Sequence, residues 1–474
     1  MQEDDLLKDI IDPADEEYRN RIATVDEEGK RVWLYPKKPS GKWYNRRRVL
    51  GYSLLAVLAL MPWIEINGEP FMMFNILERK FIITGVIFHP HDFHLFALLM
   101  IAGVIGIALF TVVYGRLFCG WICPQTIFME LVFRPIEFLI EGDRNRRRAL
   151  DKKKWGAEKA RKKILKHAIF YLLSFLTANV FLSYIIGVDE LMAIVTDSPM
   201  NHLGGLIGIM VFSVVFYFVF SSLREQVCTV ICPYGRLQGA LLDRDSVVIA
   251  YDHERGENRA KFRKNEDRTA EGKGDCIDCF QCVDVCPTGI DIRDGIQLEC
   301  TNCTACIDAC NTIMDRIGKP KGLIRYSSTR AIEEGKELKF KTKAIAYSAV
   351  LLVLLGVISF LMLTRDVVEV HVHRVPGTVY NQLDDDRLMN LFEATMVNKS
   401  TEEITLNLQL LTDWGELQVV GEIPVIEPTS EEKVTFMIIQ DRSEIEQFKT
   451  PLEVGAFQGD QLIEKEKVMF IGPN

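Results

Sequence analysis

The sequence predicts a multi-domain membrane protein: five transmembrane α-helices, a compact cysteine-rich module, and a C-terminal all-β sandwich of immunoglobulin type. Three observations support this prediction. Five apolar runs are each close to the length of about twenty residues that crosses a bilayer core of about 30 Å. All twelve cysteines fall in four short motifs. The residues after the last apolar run alternate apolar and polar side chains in short segments and contain no cysteine.

The cysteine-rich module has two halves with the same spacing. The first half reads CIDCFQCVDVC and the second reads CTNCTACIDAC, so each is C-x2-C-x2-C-x3-C. Bacterial ferredoxins hold [4Fe–4S] clusters with this spacing, and in two-cluster ferredoxins the fourth cysteine of each half ligates the cluster of the other half. We therefore predict two [4Fe–4S] clusters. The predicted ligands are Cys276, Cys279, Cys282 and Cys310 for the first cluster, and Cys300, Cys303, Cys306 and Cys286 for the second.

Two other interpretations of these eight cysteines are less consistent with the pattern. Structural zinc favours four-ligand sites without this doubled spacing. Disulfides are disfavoured by the cytoplasmic location inferred below. We assign residues 251–330 to a two-cluster ferredoxin domain that transfers electrons. The net charge of −9, with basic residues clustered rather than spread, gives no footprint for nucleic-acid binding.

The apolar runs define the membrane part of the chain. After a polar N-terminal segment (residues 1–45), which lacks the pattern of a cleavable signal peptide, the membrane domain covers residues 46–250. The predicted spans lie at about 49–66, 94–114, 168–187 and 203–223, with a fifth at 344–363. The first is the weakest, because Pro62 and Glu65 shorten it.

Lysine and arginine bias predicts the orientation. The loop between the second and third spans carries a dense basic block, Arg144–Lys166, whereas the loop between the third and fourth has no lysine or arginine. Cytoplasmic loops carry such an excess. We therefore expect a multi-pass protein in the lipid of a bacterial inner membrane, with the N-terminus and clusters cytoplasmic and the C-terminal domain periplasmic. The basic block is interpreted as a topology signal alone.

The other four cysteines form an internal repeat. Cys119 and Cys123 lie in RLFCGWICPQ, Cys228 and Cys232 lie in EQVCTVICPYGR, and both C-x3-C-P motifs directly follow an apolar run. In a helix, the i, i+4 spacing places both sulfurs of a motif on one face, and the proline would break or kink that helix. Four thiolates together would suit Cu(I), a third iron–sulfur cluster or a reversible dithiol–disulfide pair. The alternative, a tight helix–helix contact of small apolar residues, does not explain why the motif occurs twice.

A second candidate copper site lies between the first two spans. This segment is too polar to cross the membrane, and we interpret it as lying at the outer interface. It contains Met72, Met73, His89, His91 and His94. Thioether and imidazole ligands both suit copper. The alternative is interfacial packing with the histidines at headgroup level.

The C-terminal segment, residues 366–474, has the pattern of an all-β domain. Alternating stretches such as VVEVHVHR and KVTFMII are separated by turn residues. Short strands at this spacing predict an immunoglobulin-like β-sandwich, here without an inter-sheet disulfide. Such a domain is more often a docking or structural module than a catalyst.

Taken in order, these motifs resemble the cytochrome c oxidase accessory proteins, the membrane polyferredoxins associated with assembly of cbb-type oxidases. The resemblance covers nearly the whole chain from Trp43 onward. The matching stretches are CGWICPQTIFME, CTVICPYGRLQGALLDRDSVVIAYDHERGENR, the two cluster blocks and IMDRIGKPKGLIRY. The resemblance implies delivery of copper, as Cu(I), to the binuclear centre of the oxidase, with oxidase subunits and copper chaperones as partners.

The resemblance also implies an oxidoreductase that reduces Cu(II), with electrons passing from an unknown cytoplasmic donor through the two clusters. Two other classes remain open. A quinol-oxidising electron-transfer subunit would need a quinone pocket near the spans, for which the sequence shows no motif. The quinol-oxidising membrane ferredoxins of periplasmic nitrate reduction share the bare cysteine motifs, but they look shorter and lack the β-domain. A non-catalytic assembly scaffold would carry clusters that need not change redox state.

Overall fold

The structure is a computed structural model. It describes residues 24–26, 28, 30–66, 68–75, 80–83, 86–88, 93–242, 245–264, 266–335, 342–364, 368–377, 379–383, 386–400, 402–412, 414–428, 430–445 and 447–473. The chain forms two compact units. The first comprises Met1–Glu65, Pro70–Thr84 and Pro90–Gly356, and the second comprises Ile66–Glu69, Gly85–His89 and Val357–Asn474.

Apolar helices dominate the membrane part. Its α-helices are α1 (Lys42–Leu60), α2 (Phe93–Tyr114), α3 (Leu117–Trp121), α4 (Pro124–Ile127), α5 (Arg134–Ile140), α6 (Arg144–Lys152), α7 (Ala157–Ile186), α8 (Val188–Thr196), α9 (Leu203–Phe218), α10 (Pro233–Leu241) and, after the cysteine-rich module, α15 (Thr342–Leu363). Segments with π-helical hydrogen bonding are Phe128–Phe133, Val219–Leu223 and Val227–Ile231. Short strands between α1 and α2 are β1 (Glu65–Ile66), β2 (Glu69–Pro70), β3 (Met72–Asn75), β4 (Lys80–Ile83) and β5 (Val86–Phe88).

Among the described residues, four helical segments are long and apolar enough to cross a membrane. They are His94–Tyr114, Ala157–Ile186, Leu203–Leu223 and Ile345–Leu363. They correspond to four of the predicted spans and make this a multi-pass membrane protein. Helix α7 begins eleven residues before its predicted span, because the Ala, Glu, Lys and Arg residues of the basic block also favour helix.

The first predicted span is wrong in its bounds. The apolar run is helical only as far as Leu60, and a 3₁₀ turn, Met61–Trp63, and extended chain follow it. Pro62 lies in that turn, and proline cannot supply the amide that a continuing helix needs. The helix instead starts seven residues early, at Lys42, and is not one of the four segments above. The count of five spans is therefore not confirmed.

The cysteine-rich module is closed by a short antiparallel pair of strands, β6 (Val248–Tyr251) and β7 (Ile324–Ser327). Its helices are α11 (His253–Gly256), α12 (Gln281–Asp284), α13 (Ala305–Arg316) and α14 (Thr329–Glu333), with a 3₁₀ turn at Ile292–Asp294. The module docks on the membrane part through α1. The Asp308 carboxylate of α13 accepts hydrogen bonds from the backbone amides of Trp43 (3.2 Å) and Tyr44 (2.8 Å). This satisfies two of the four free amides at the N-terminus of α1.

The second unit is a β-sandwich. Its strands are β8 (Val368–Arg374), β9 (Asn381–Gln382), β10 (Arg387–Asn398), β11 (Asn407–Leu410), β12 (Glu416–Val419), β13 (Glu431–Asp441), β14 (Lys449–Gln458) and β15 (Gln461–Ile471), with a 3₁₀ turn at Arg442–Glu444. One sheet has the order β12-β13-β10-β8, with β9 beside β10, and the other has the order β11-β14-β15. On the buried face of the first sheet, Phe392 of β10 stacks on its cross-strand neighbour Phe436 of β13 at 5.5 Å. Trp414 packs edge-on against Phe470 of the other sheet. The predicted all-β domain is confirmed.

Candidate functional site

The two halves of the cysteine-rich module share an unusual backbone geometry. In each half the residues on either side of the second cysteine have positive φ: Asp278 (51°) and Phe280 (54°) in the first, Asn302 (54°) and Thr304 (68°) in the second. Non-glycine residues rarely adopt this conformation. Its repetition at equivalent positions shows that the sequence repeat is also a repeat of loop shape. Such loops turn backbone amides toward a negatively charged group.

The four predicted ligands of the first cluster line one cavity. Cys276, Cys279, Cys282 and Cys310 meet there, and the rest of the wall is mainly apolar, including Ile313, Met314 and Leu323. Cys279 is the exposed member, whereas Cys276 and Cys282 are buried. Four thiols around one apolar space form a donor set that fits a [4Fe–4S] cluster.

A second cavity is lined by the other predicted set, Cys286, Cys300, Cys303 and Cys306. Cys282 lines this cavity as well as the first, so a single cysteine separates the two. Around the second set, the Thr288 hydroxyl lies 3.4 Å from Cys286 Sγ. The structure thus brings together the two groups of four that the ferredoxin spacing predicts, with the fourth member of each drawn from the opposite half.

Burial disfavours the ionised form of these thiols when no metal is bound. Burial raises the pKa of Cys300 and Cys310 to about 12, well above that of an ordinary thiol. Only a thiolate ligates iron, so cluster binding must coincide with loss of these protons.

The two C-x3-C-P motifs repeat as structure but not as single helices. Cys119 lies in α3, whereas Cys123 is the N-cap of α4 with Pro124 at its first position. In the second motif Cys228 lies in a π-helical segment and Cys232 is the N-cap of α10. The proline therefore begins a new helix after each motif, because its fixed φ suits the first helical position. The helix break predicted from each proline is confirmed, and because it falls between the two cysteines, no single continuous helix carries both sulfurs of a motif.

All four membrane-side thiols are near one another. The pKa of Cys228 is raised by burial to about 12, with smaller effects from Cys123, Cys119 and Cys232. Burial likewise raises the pKa of Cys119 to about 11, and its Sγ lies 3.3 Å from Gln238 Oε1. In the described part of the chain, however, no three His, Cys, Asp or Glu side chains are arranged to hold a single metal ion.

The first C-x3-C-P motif, which contains Cys119 and Cys123, packs directly on the loop that carries Cys300 and Cys303 of the second cluster set. A Cβ at Gly120 would lie 2.4 Å from the Thr301 carbonyl oxygen and 2.6 Å from that of Asn302, so only glycine permits this approach. The buried Arg116 guanidinium is close enough to interact electrostatically with both Cys119 and Cys300, and it donates to the Gly235 carbonyl at 2.7 Å. The four C-x3-C-P cysteines, here called the thiol repeat, therefore adjoin the second cluster set.

A small cavity lies between the second C-x3-C-P motif, which contains Cys228, and the second cluster set. Its lining is Gln125, Thr126, Met129, Glu130, Arg224, Glu225, Cys228, Pro287, Thr288 and Thr301. Thr288 and Thr301 also line the second cluster cavity. Cys228 thus lines a cavity that shares two wall residues with the second cluster cavity.

The second candidate copper site gains no geometric support. Met73 is buried in β3, and its Sδ would lie 3.5 Å from a Cβ at Gly187, which gives it a packing role. Met72 is half-buried beside it, and His94 is exposed near the start of α2. His89 and His91 lie outside the described residues, so this set stays a prediction.

The sequence analysis missed a buried ionic network at the base of the membrane helices. Glu137 is 2% exposed and accepts from Arg224 at 2.7 and 2.8 Å and from Arg147 at 2.9 Å. Burial alone would raise the pKa of Glu137, but the Arg224 guanidinium outweighs it and holds that pKa well below its usual range. Lys163 and Lys166 of the basic block both reach Glu141 at 2.9 Å. The sequence did contain one indication of this network: Glu137 and Glu141 are spaced i, i+4 directly before the basic block.

This network lines a cavity of about 830 Å³. Its wall combines aromatic, charged and hydroxyl side chains from the N-terminal segment and from the elements between α5 and the end of the Leu203–Leu223 span. The lining residues are Trp33, Leu34, Tyr35, Glu137, Glu141, Arg147, Asp151, Trp155, Lys159, Lys163, Ile164, Lys166, His167, Ala168, Ser221, Ser222 and Arg224. The basic block, interpreted from sequence as a topology signal alone, thus also forms much of a cavity.

Three family profiles match the chain. A 4Fe-4S binding domain matches residues 96–147, a 4Fe-4S dicluster domain matches residues 223–329, and the IG-like fold at the C-terminal of FixG matches residues 358–473. The second match contains all eight predicted cluster cysteines. The matches identify an iron–sulfur electron-transfer protein with an immunoglobulin-like C-terminal domain.

Known relatives match over most of the chain. Protein RdxB of Cereibacter sphaeroides is 34% identical over 388 residues, which cover 79% of this chain and 80% of the relative. Protein RdxA of the same organism is 36% identical over 392 residues, covering 79% and 81%. The nitrogen fixation protein FixG of Rhizobium meliloti is 35% identical over 307 residues, covering 63% and 58%. A solved FixG-related protein from Vibrio parahaemolyticus is 17% identical, covers 23% of this chain and 97% of its own, and has a TM-score of 0.19.

Proposed function

Because this chain belongs to the family that includes RdxA, RdxB and FixG, we propose that it transfers electrons from two [4Fe–4S] clusters to Cu(II) at the C-x3-C-P cysteines. The product is Cu(I), which is handed on for assembly of a cbb-type cytochrome oxidase. In each turnover one Cu(II) ion gains one electron. When bound, the clusters supply storage and transfer of single electrons.

The observation that carries this proposal is the contact between the first motif and the second cluster loop. Gly120 approaches the carbonyl oxygens of Thr301 and Asn302 closely enough to exclude any side chain between them. Electron transfer becomes steeply slower as donor and acceptor separate, and a contact of this kind keeps the separation small. Arg116 adds a buried positive charge that acts on both Cys119 and Cys300. It therefore favours negative charge on either side of the contact.

The thiol repeat suits Cu(I) as a product. Soft thiolates bind Cu(I) in preference to hard oxygen ligands. Since no three His, Cys, Asp or Glu side chains among the described residues are arranged to hold a single metal ion, we propose that Cu(I) is held by two thiolates at a time. Gln238, 3.3 Å from Cys119 Sγ, orients one of these thiols. Loss of the thiol proton accompanies binding, because only the thiolate is a ligand.

A third iron–sulfur cluster is the second candidate for this site. One observation favours it: the 4Fe-4S binding domain profile matches residues 96–147, which contain Cys119 and Cys123. Those two cysteines cannot supply four ligands, so a cluster would also need Cys228 and Cys232. Iron analysis separates the candidates. Two clusters give about eight irons per chain and three give about twelve.

The test combines a metal assay with a redox assay on anaerobically purified protein. Dithionite-reduced protein is mixed with Cu(II), and reoxidation of the clusters is followed by EPR while Cu(I) is trapped by a specific chromophore. We expect one Cu(I) for each electron lost by the clusters. Reduced clusters that persist in excess Cu(II) would exclude the function. A scaffold with purely structural clusters predicts that result.

We also propose the orientation inferred from lysine and arginine bias, with the N-terminus and clusters in the cytoplasm and the β-domain in the periplasm. The four apolar helical segments do not by themselves fix the number of crossings. A reporter active only outside the cytoplasm, fused after Ile471, tests the side of the β-domain. A second fusion after Gly256 tests the side of the cluster module.

A further inference from the structure

We propose that the cavity of about 830 Å³ at the base of the membrane helices binds the headgroup of a membrane quinol, which donates the electrons. This inference rests on the proposed function, since it names the reductant of the same clusters. It places the donor in the membrane rather than in the cytoplasm. The volume lies within the usual range for small-molecule sites, about 300–1,000 Å³.

The first argument is the position of the cavity relative to the clusters. Arg224 lines both this cavity and the small cavity that contains Cys228. Thr288 and Thr301 line both that small cavity and the second cluster cavity. Three cavities therefore follow one another, with single side chains between them. A series of neighbouring cavities therefore connects an electron donor in the first cavity to the second cluster set.

A second route leads to the same cluster set. Leu34 lines the large cavity, and its Cδ2 would lie 2.8 Å from a Cβ at Gly289. Gly289 is three residues after Cys286, in the loop of the second set. Arg224 on one wall of the cavity and Leu34 on another thus lead to the cluster module by separate routes. This proximity would be unnecessary for a site that only anchors lipid.

Most charged groups of the wall are already paired within the protein. Of the described lining residues, five are cations and three are carboxylates, and every one of these cations has a partner. Arg147 and Arg224 bind Glu137, Lys163 and Lys166 bind Glu141, and Lys159 donates to the carbonyls of Asp151 and Lys153. A phosphate would have to compete with a carboxylate for four of these five cations. The two oxygens of a quinone ring can share the same donors without doing so.

The cavity also offers a flat apolar contact and access from lipid. Trp33, Tyr35 and Trp155 contribute aromatic surfaces on which a ring can stack. Ile164, which also lines it, is 69% exposed. It lies where α7 passes from basic to apolar sequence. An isoprenoid tail can leave the cavity along this apolar part of the helix.

Oxidation of the quinol requires a proton acceptor, and His167 is placed for that role. Its Nδ1 lies 2.8 Å from the Tyr217 hydroxyl oxygen, which leaves Nε2 for a ligand in the cavity. The quinol loses two electrons and two protons and becomes a quinone. The electrons go, one each, to the two cluster sites. One proton goes to His167 and the other to water through the cavity mouth.

Two readouts on the full-length protein test this proposal. The first is binding of decylubiquinone, followed by quenching of tryptophan fluorescence. The second is reduction of the clusters by decylubiquinol, followed by EPR. Ala168→Trp fills the cavity from α7. Leu165→Trp is the matched control, because Leu165 is on the same helix, 49% exposed, and absent from the cavity wall.

We expect Ala168→Trp to weaken quinone binding and slow reduction by quinol by about tenfold or more, the effect of about 1.4 kcal/mol. The Leu165→Trp control should match the wild type. His167→Gln should keep most of the binding but slow reduction, with a changed dependence on pH. Both cavity variants should still be reduced by dithionite and reoxidised by Cu(II), so failure of this proposal is distinguishable from failure of the proposed function.

Three results would overturn the quinol site. The first is reduction of the wild-type clusters by dithionite but not by decylubiquinol. The second is an Ala168→Trp variant that behaves like its control, which would place the reaction elsewhere. The third is displacement of decylubiquinone from the wild type by cardiolipin in the detergent, with loss of cardiolipin binding in Ala168→Trp, which would identify the cavity as a phospholipid site.

Discussion

Replacing Gly120 by alanine tests the contact on which electron transfer to the thiol repeat depends. The new methyl group would lie 2.4 Å from the Thr301 carbonyl oxygen, whereas ordinary contact begins at 3.4 Å. The two segments must therefore separate by about 1 Å, because neither neighbour is a flexible side chain. Forcing a methyl group into a closely packed site costs about 1–3 kcal/mol.

A matched control isolates this cost. Alanine is favoured over glycine in a helix by about 1 kcal/mol, which would mask part of the effect. A methyl group added at Gly103 in α2 would meet no other group within 4 Å, so Gly103→Ala has the same helical gain without the clash. We expect Gly120→Ala to be less stable than Gly103→Ala by about 1–3 kcal/mol in thermal unfolding.

The redox assay should show a larger effect than stability. After reduction by dithionite, Gly120→Ala should retain its iron but be reoxidised by Cu(II) more slowly than Gly103→Ala. If both variants have the same reoxidation rate and the same stability, the contact is not the route to copper. Loss of iron in Gly120→Ala would show instead that the contact supports the cluster loop itself.

Three further predictions follow from the same geometry. Cys123→Ser and Cys232→Ser should each lose Cu(I) binding in a chromophore titration and keep about eight irons; a fall from about twelve irons to eight would identify a third cluster instead. Glu137→Gln should destabilise the membrane part by about 3–5 kcal/mol, because it leaves Arg147 buried without this anion and Arg224 with only the more distant Glu225 at 3.6 Å. Since the pKa of Glu137 is depressed on folding, the stability that it contributes is present above its ordinary value of 4.5 and declines below it, so urea unfolding of the variant and the wild type should converge as the pH falls. Phe436→Ala should cost the β-domain about 3–5 kcal/mol in its own unfolding transition while the iron content stays unchanged.

The cysteine spacing carried most of what could be predicted about the site. Ligand spacing is a local property, and a ferredoxin loop of seven residues has few ways to place three thiols around one point. The crossed fourth ligands could be inferred because the motif occurs twice. Here Cys310 lines the first cavity and Cys286 the second, each far along the chain from its partners.

The remaining features depend on contacts that no local pattern contains. The C-x3-C-P motifs look helical, but each proline starts a helix at the position where a single long helix would have to continue. The large cavity collects residues from Trp33 to Arg224, and its ionic pairs form only when those segments meet. Glu137, which is almost fully buried, has no distinguishing sequence context apart from its spacing to Glu141.

The cap on α1 has a consequence for the order of biogenesis. The Trp43 amide bonds to a carboxylate 265 positions later, so the first helix leaves the ribosome long before its partner exists. That partner, Asp308, lies between Cys306 and Cys310 and thus on a turn shaped by both sets of ligands. The first turn of α1 therefore gains its cap only after the cluster loops that carry Asp308 have been made and folded. In a chain starved of iron, we expect the two amides that Asp308 caps to lose their partner and the first turn of the helix to fray, while the contacts of Arg47 and Leu58 hold the rest of it in place.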